Sequence, residues 1–169
     1  MIAEIGHFAL ILALVLSVVQ CVLPLVGAAR GIGSWMALAR TAAYANALFL
    51  TISFGTLAYS FYISDFTLLN VASNSNSLLP WFYKVAATWG SHEGSILFWA
   101  LMLTWWGFLV ALTSRKLPQE TVARVLGVMG FITAGFVAFM LFTSNPFLRL
   151  FPAAPEGADL NPLLQDPGM

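Results

Sequence analysis

His92 and Glu93 stand side by side at the start of a long apolar run. Cys21, His7 and Lys84 are the other side chains that could do chemistry beyond packing. An imidazole beside a carboxylate can ligate a metal or hold a proton near neutral pH. The helical zinc motif needs a second histidine at position 96, and Ile96 stands there instead. A hydrogen-bonding role therefore comes first for His92, with metal ligation a weak second. Cys21 has no second cysteine in the chain, so an internal disulfide or a Cys-x-x-Cys redox pair is excluded, and it reads as a small packing residue.

The segment around His92 is polar, aromatic and nearly uncharged. The Asn-Ser-Asn-Ser run at 74–77 is turn chemistry, and residues 66–71 before it alternate loosely enough to suggest extended chain. Pro80 suits the start of a helix. Leu78, Trp81, Phe82, Val85 and Trp89 follow helical spacing and form one apolar face, with Lys84 and Thr88 on another. The pattern predicts a short helix over 80–89, lying in a membrane interface and anchored by Trp81 and Trp89. Gly90 ends it. Ser91 is a natural N-cap for the next helix, and Glu93 falls in its first turn, where a carboxylate complements the helix dipole. Trp81, Tyr83, Lys84, Trp89, Gly90, His92 and Glu93 make up a candidate platform for a partner.

The elements that must position this platform are membrane helices. The chain has 169 residues, 60% hydrophobic and only 8% charged, against roughly 25% charged for a soluble domain. That leaves too little polar surface to cover a water-soluble globule. Four stretches, near 5–27, 41–63, 94–113 and 122–143, are long enough for a hydrocarbon core, which takes about 20 residues. The first lacks a basic leader, since only Glu4 precedes it, and reads as a retained helix. The fold class expected is an all-α integral membrane bundle of four spans, with an outer loop over 64–93 and a proline-rich tail over 144–169. The net charge is zero, which argues against nucleic acid as a partner.

Charge sets the expected orientation. Arg30 and Arg40 follow the first span, and Arg115, Lys116 and Arg124 surround the link after the third. The positive-inside rule makes those links cytoplasmic. Both termini and the 64–93 loop then face outward.

Inside the spans, Ala9, Ala13, Ser17 and Cys21 recur every four residues, as do Gly130, Ala134 and Ala138, a spacing that lets helix backbones approach. Gln20 and Asn46 are polar residues expected to hydrogen-bond neighbouring helices. No Asp, Glu, Lys or His lies deep in a span, so a transporter or ion-relay reading has no residues to work with. Trp99, Trp105 and Trp106 are read as packing or anchoring residues, with contact to a flat hydrophobic ligand as the sharper alternative.

The outer segment resembles the N-terminal part of the haem-handling membrane proteins of bacterial cytochrome c maturation, the CcmF family. The matching residues are Asp65–Phe66–Thr67, Val71 to Ser77, Leu79–Pro80, Tyr83–Lys84 and Trp89 to Ser95. The tail is similar again at Thr143 to Phe147 and at Asp159 to Gly168. The resemblance covers the whole chain.

It implies a multi-pass protein of the bacterial inner membrane, part of a haem lyase complex that takes haem from a haem chaperone and attaches it to apocytochrome c. Family members are several times longer and carry a tryptophan-rich outer loop flanked by histidines. No Trp-Gly-x-Trp-Trp-x-x-Asp run occurs here, and none of the family's haem-ligand histidines has a counterpart. The chain therefore reads as an N-terminal fragment or one piece of a split protein. It would supply scaffold, not catalysis, and bind no haem alone, with His92 the one weak candidate ligand. Its expected partners are the remainder of the same protein, the haem chaperone, apocytochrome c and the bilayer. The competing reading is a ligand-free membrane scaffold or assembly factor. The tail holds five prolines between 146 and 167 and reads as a connector or a disordered stretch.

Overall fold

In the computed structural model, residues 1–159 are described. The elements in order are α1 (Ile2–Arg30), α2 (Gly33–Tyr62), α3 (Leu69–Asn74), α4 (Trp81–Gly90), α5 (His92–Thr113), a 3-10 turn (Ser114–Lys116) and α6 (Gln119–Phe142). Four helices are long and apolar enough to cross a membrane: α1, α2, α5 with its 3-10 extension, and α6. They overrun the expected spans because backbone hydrogen bonding continues past the hydrocarbon-length run until a stop signal intervenes. At the end of α1 that signal is Gly31, at φ 69°, a left-handed conformation that a Cβ would disfavour. Ile32 N–H closes the turn on the Gly27 carbonyl at 2.9 Å.

α1 packs against α2 and α6, and α5 against α2 and α6. Small residues set these distances. A Cβ on Gly130 would stand 3.0 Å from the Cys21 backbone nitrogen, and one on Gly127 would press on Leu25. Ala9, Ala13 and Ser17 are buried, and Cys21 and Ala134 are half-buried at the edge of the seam. Every span carries apolar residues outside as well as inside; Phe8, Val15, Trp99 and Phe131 are all exposed. Such helices suit an apolar solvent.

Polar residues inside the bundle find partners across helices. Gln20 donates to the Leu126 carbonyl at 2.8 Å, and the Asn46 and Gln20 side-chain amides meet at 2.7 Å. The two amides join α1, α2 and α6, as the sequence suggested.

The two ends of the bundle differ. One gathers the start of α1, the 63–91 region and the chain after α6. The other gathers the α1–α2 turn and the α5–α6 link. There Arg40 donates to the Ser114 carbonyl at 3.0 Å and Gln119 to the Gly33 carbonyl at 3.1 Å.

Two expectations change. Residues 66–71 are not an extended run. Only Leu68 pairs, in an isolated antiparallel bridge with Arg149, and the chain turns into α3 at Leu69. The tail, through residue 159, is not a free connector. Leu69 N–H donates to Leu148 O at 2.9 Å, Leu150 N–H to Thr67 O at 2.8 Å, and Ala158 N–H to Ala72 O at 2.7 Å. The rest of the tail, 160–169, lies outside the described residues, and so does most of the second tail motif.

Candidate functional site: a platform at one end of the bundle

The platform is built on the corner between α4 and α5. Pro80 precedes α4 with extended geometry, φ −56° and ψ 147°. Ser91 caps α5, its Oγ accepting from Gly94 N–H at 3.1 Å, and Glu93 stands in the first turn. The corner is tight because position 94 has no side chain. A Cβ there would overlap the Thr88 carbonyl oxygen and stand 2.7 Å from Ser91 Oγ. Gly94 thus lets two helix backbones meet directly.

Trp81, Phe82 and Trp89 are exposed along α4, while Ala87 and Thr88 are fully buried. The helix therefore turns its apolar aromatic face away from the bundle. Trp81 meets Phe82 edge-on at 6.0 Å, Phe82 lies 4.5 Å from Tyr83, and Trp89 tilts against Phe98 at 6.4 Å between centroids. Gly90 is half-buried as the last residue of α4. Lys84 does not stay free on the surface. Its ammonium donates to Ser64 Oγ at 2.8 Å, tying α4 to the end of α2, where Ser64 adopts φ 55°.

His92 is exposed, and its Nδ1 lies 3.1 Å from Ser144 Oγ. His7 sits elsewhere, with Nε2 3.4 Å from Asn145 Nδ2 and its ring stacked on Phe147 at 6.3 Å. Each histidine is thus engaged by the chain that follows α6, through neighbouring residues. Among the described residues, no group of three or more His, Cys, Asp or Glu side chains is placed to hold a metal. Trp89, Phe98, Trp99, Met102, Trp106 and Phe136 line an apolar concavity of about 620 Å³ on the flank of α5 and α6. No histidine lines it, and Met102 is its one side chain of a common haem-ligand type. A lone thioether with no imidazole opposite it does not make the Met/His pair, and the concavity has none of the His, Cys or Tyr ligands that otherwise hold haem. Trp105 is occupied otherwise, donating from Nε1 to Thr51 Oγ1 at 3.2 Å.

The strap after α6 contributes residues that the sequence did not single out. Phe147 is buried against Gly6, where an added Cβ would collide with the Phe147 ring and with Thr56 Oγ1. Arg149 pairs with Glu4, donates to Thr67 and lies 3.7 Å from Asp65. Glu156 accepts from the Ser77 hydroxyl at 2.7 Å and from Ser77 N–H at 2.9 Å. The Ser77 hydroxyl, with the Gly157 and Ser77 N–H groups, holds the Glu156 carboxyl below the usual carboxylate range. One signal was available in advance: Arg149 is the only basic residue after position 124 and stands on the acid-rich side of the chain.

These features define a class: a four-helix, membrane-type bundle with a strapped polar–aromatic platform at one end. The family described as "Cytochrome C assembly protein" matches residues 89–169, from Trp89 of the platform onward. The cytochrome c-type biogenesis protein CcmF of Pseudomonas aeruginosa is 57% identical over 170 residues, covering 100% of this chain and 26% of that protein. CcmF of Escherichia coli is 50% identical, again over 100% of this chain and 26% of the relative. A solved cytochrome c haem lyase CcmF superposes with a TM-score of 0.80 at 27% identity, over 87% of this chain and 25% of that one. Along its whole length the chain is similar to a part of the CcmF cytochrome c-type biogenesis proteins. It spans about a quarter of the length of the curated relatives it matches.

Proposed function

We propose that this chain acts in cytochrome c maturation as the scaffold part of a membrane haem lyase assembly. The observation that carries this reading is the identity of 50–57% to CcmF proteins along the whole chain, platform and strap included. The helices would cross the bacterial inner membrane with the Arg30, Arg40, Arg115 and Lys116 end cytoplasmic and the platform on the outer face. Four apolar helices and the segregation of basic links support that orientation.

In this reading the platform seats the remainder of a CcmF-type protein. α4 would lie in the interface with Trp81 and Trp89 as anchors. Gly90 and the Ser91 cap would hold His92 and Glu93 at the mouth of α5, where they meet polar groups of the partner. Lys84 would keep α4 in register through Ser64, and Tyr83 would pack at its side. Haem, the haem chaperone and apocytochrome c would be handled by the larger assembly; this chain supplies no axial ligand and no catalytic group of its own.

The test is made in cells that depend on this chain for cytochrome c. Trp89→Ala and Glu93→Gln are expected to leave insertion of the chain intact while reducing both its copurification with the remainder of the assembly and cytochrome c yield. Unchanged assembly and unchanged yield in both variants would overturn the platform role and leave the segment a membrane anchor.

A further inference from the structure

The end of the bundle opposite the platform carries a second cavity, of about 300 Å³, lined by Met36, Ala37, Arg40, Arg115, Leu117, Gln119 and Val122. It lies where the α5–α6 link crosses the first turns of α2. Its lining has two characters: two guanidinium groups, and an apolar wall completed by the exposed Leu117.

The charge at this end is not neutralised. Arg30, Arg40, Arg115 and Lys116 enter no ion pair among the described residues, and the one acid nearby, Glu120, is taken by Arg124. Arg40 uses one nitrogen on the Ser114 carbonyl at 3.0 Å. A guanidinium has five N–H donors, so most of its capacity remains. The Ser114 hydroxyl, next to Arg115, is buried with no hydrogen-bond partner among the described residues. Buried polar groups are ordinarily paired. Cations and an apolar wall thus meet at the edge of a membrane-type bundle, beside a residue, Ser114, whose hydroxyl has no partner among the described residues.

We infer that this cavity binds the phosphate of an anionic phospholipid, with Arg40 and Arg115 as the phosphate ligands and the Leu117–Val122 wall against the glycerol and upper acyl chain. Guanidinium groups recognise phosphate through paired N–H donors. Basic pockets between membrane helices are established sites for acidic head groups. A free phosphate shares the head-group chemistry but leaves the apolar wall unused. A zwitterionic lipid shares the wall but brings its own cation among unpaired arginines. The amphiphile of net negative charge satisfies both halves of the cavity. The inference rests on the reading of the four helices as membrane spans, not on the role in cytochrome c maturation.

Native mass spectrometry of the detergent-purified chain, titrated with phosphatidylglycerol or phosphatidylcholine, tests it. The unaltered chain is expected to retain phosphatidylglycerol about tenfold better than phosphatidylcholine, and Arg40→Gln/Arg115→Gln to lose that preference. Arg124→Gln removes the same kind of charge from the same end outside the cavity and is expected to keep it. Because Arg40 also braces the Ser114 link, Arg115→Gln alone serves as the second variant; it should weaken phosphatidylglycerol binding about threefold or more with the helical circular dichroism unchanged. Equal retention of the two lipids, an equal loss in Arg124→Gln, or an unaffected Arg115→Gln would each overturn the site. Displacement of the lipid by millimolar inorganic phosphate would assign the cavity to free phosphate instead.

Discussion

His92 Nδ1 lies 3.1 Å from Ser144 Oγ, so the first residue of α5 is tied to the chain just past the end of α6. The imidazole faces the protein's own strap and does not line the aromatic concavity of Trp89 and Trp99. His92 thus helps to close the platform end of the bundle, and its nitrogen is partly spent on a structural bond.

The purified chain is expected to carry no stoichiometric haem. His92 and His7 are separately engaged, and the aromatic concavity offers one thioether, Met102, with no histidine to pair with it. Absorbance spectra after haem titration check this. A Soret band that His92→Ala abolishes would refute it and make His92 a ligand.

Gly94→Ala is expected to destabilise the bundle by about 1–3 kcal/mol, since the atom in the way is a backbone carbonyl that cannot turn aside. Gly135 has open space around its Cβ position, so Gly135→Ala should be neutral or stabilising by up to about 1 kcal/mol. Thermal unfolding in detergent distinguishes the two; equal midpoints would count against the tight α4–α5 corner.

The strap should loosen in acid. Ser77 and backbone donors favour the ionised Glu156, so its pKa is lower folded than unfolded. Its contribution is therefore fully present above the ordinary carboxylate pKa and is lost as pH falls through the lowered folded value. Hydrogen exchange at the Ser77 and Gly157 amides, corrected for intrinsic rates, should accelerate across that window. Glu156→Gln should flatten the response, and an unchanged pH profile in that variant would exclude Glu156 as its source.

A Ser73→Cys substitution in a Cys21→Ala background tests the orientation. Ser73 is exposed on α3 at the platform end. Impermeant maleimide should label it from the outer face of intact spheroplasts. Labelling only after the cytoplasmic face is opened would invert the topology.

Much of the bundle was legible in order of residues alone. Four apolar runs, the Ser91 cap, the Glu93 first turn and a helix following Pro80 all depend on composition and on neighbours a few residues apart. Local patterns record those directly. The polarity of the ends was legible for the same reason, because links inherit the charge of the residues that compose them.

Only the tertiary structure decided what the links do. Proline content made the tail 144–169 look like a connector, yet in its described part Phe147 covers Gly6, Arg149 reaches Glu4 and Glu156 clasps Ser77. Likewise Gln20 and Asn46 were visible as buried polar residues, but not that they would bond to each other and to Leu126. The cavity between Arg40 and Arg115 has the same origin. Each of these pairs joins residues far apart in the chain. No periodicity names a distant partner; the partner is set by how closely the small-residue faces of α1, α2 and α6 let the helices pack, and so by which side chains their ends bring within reach.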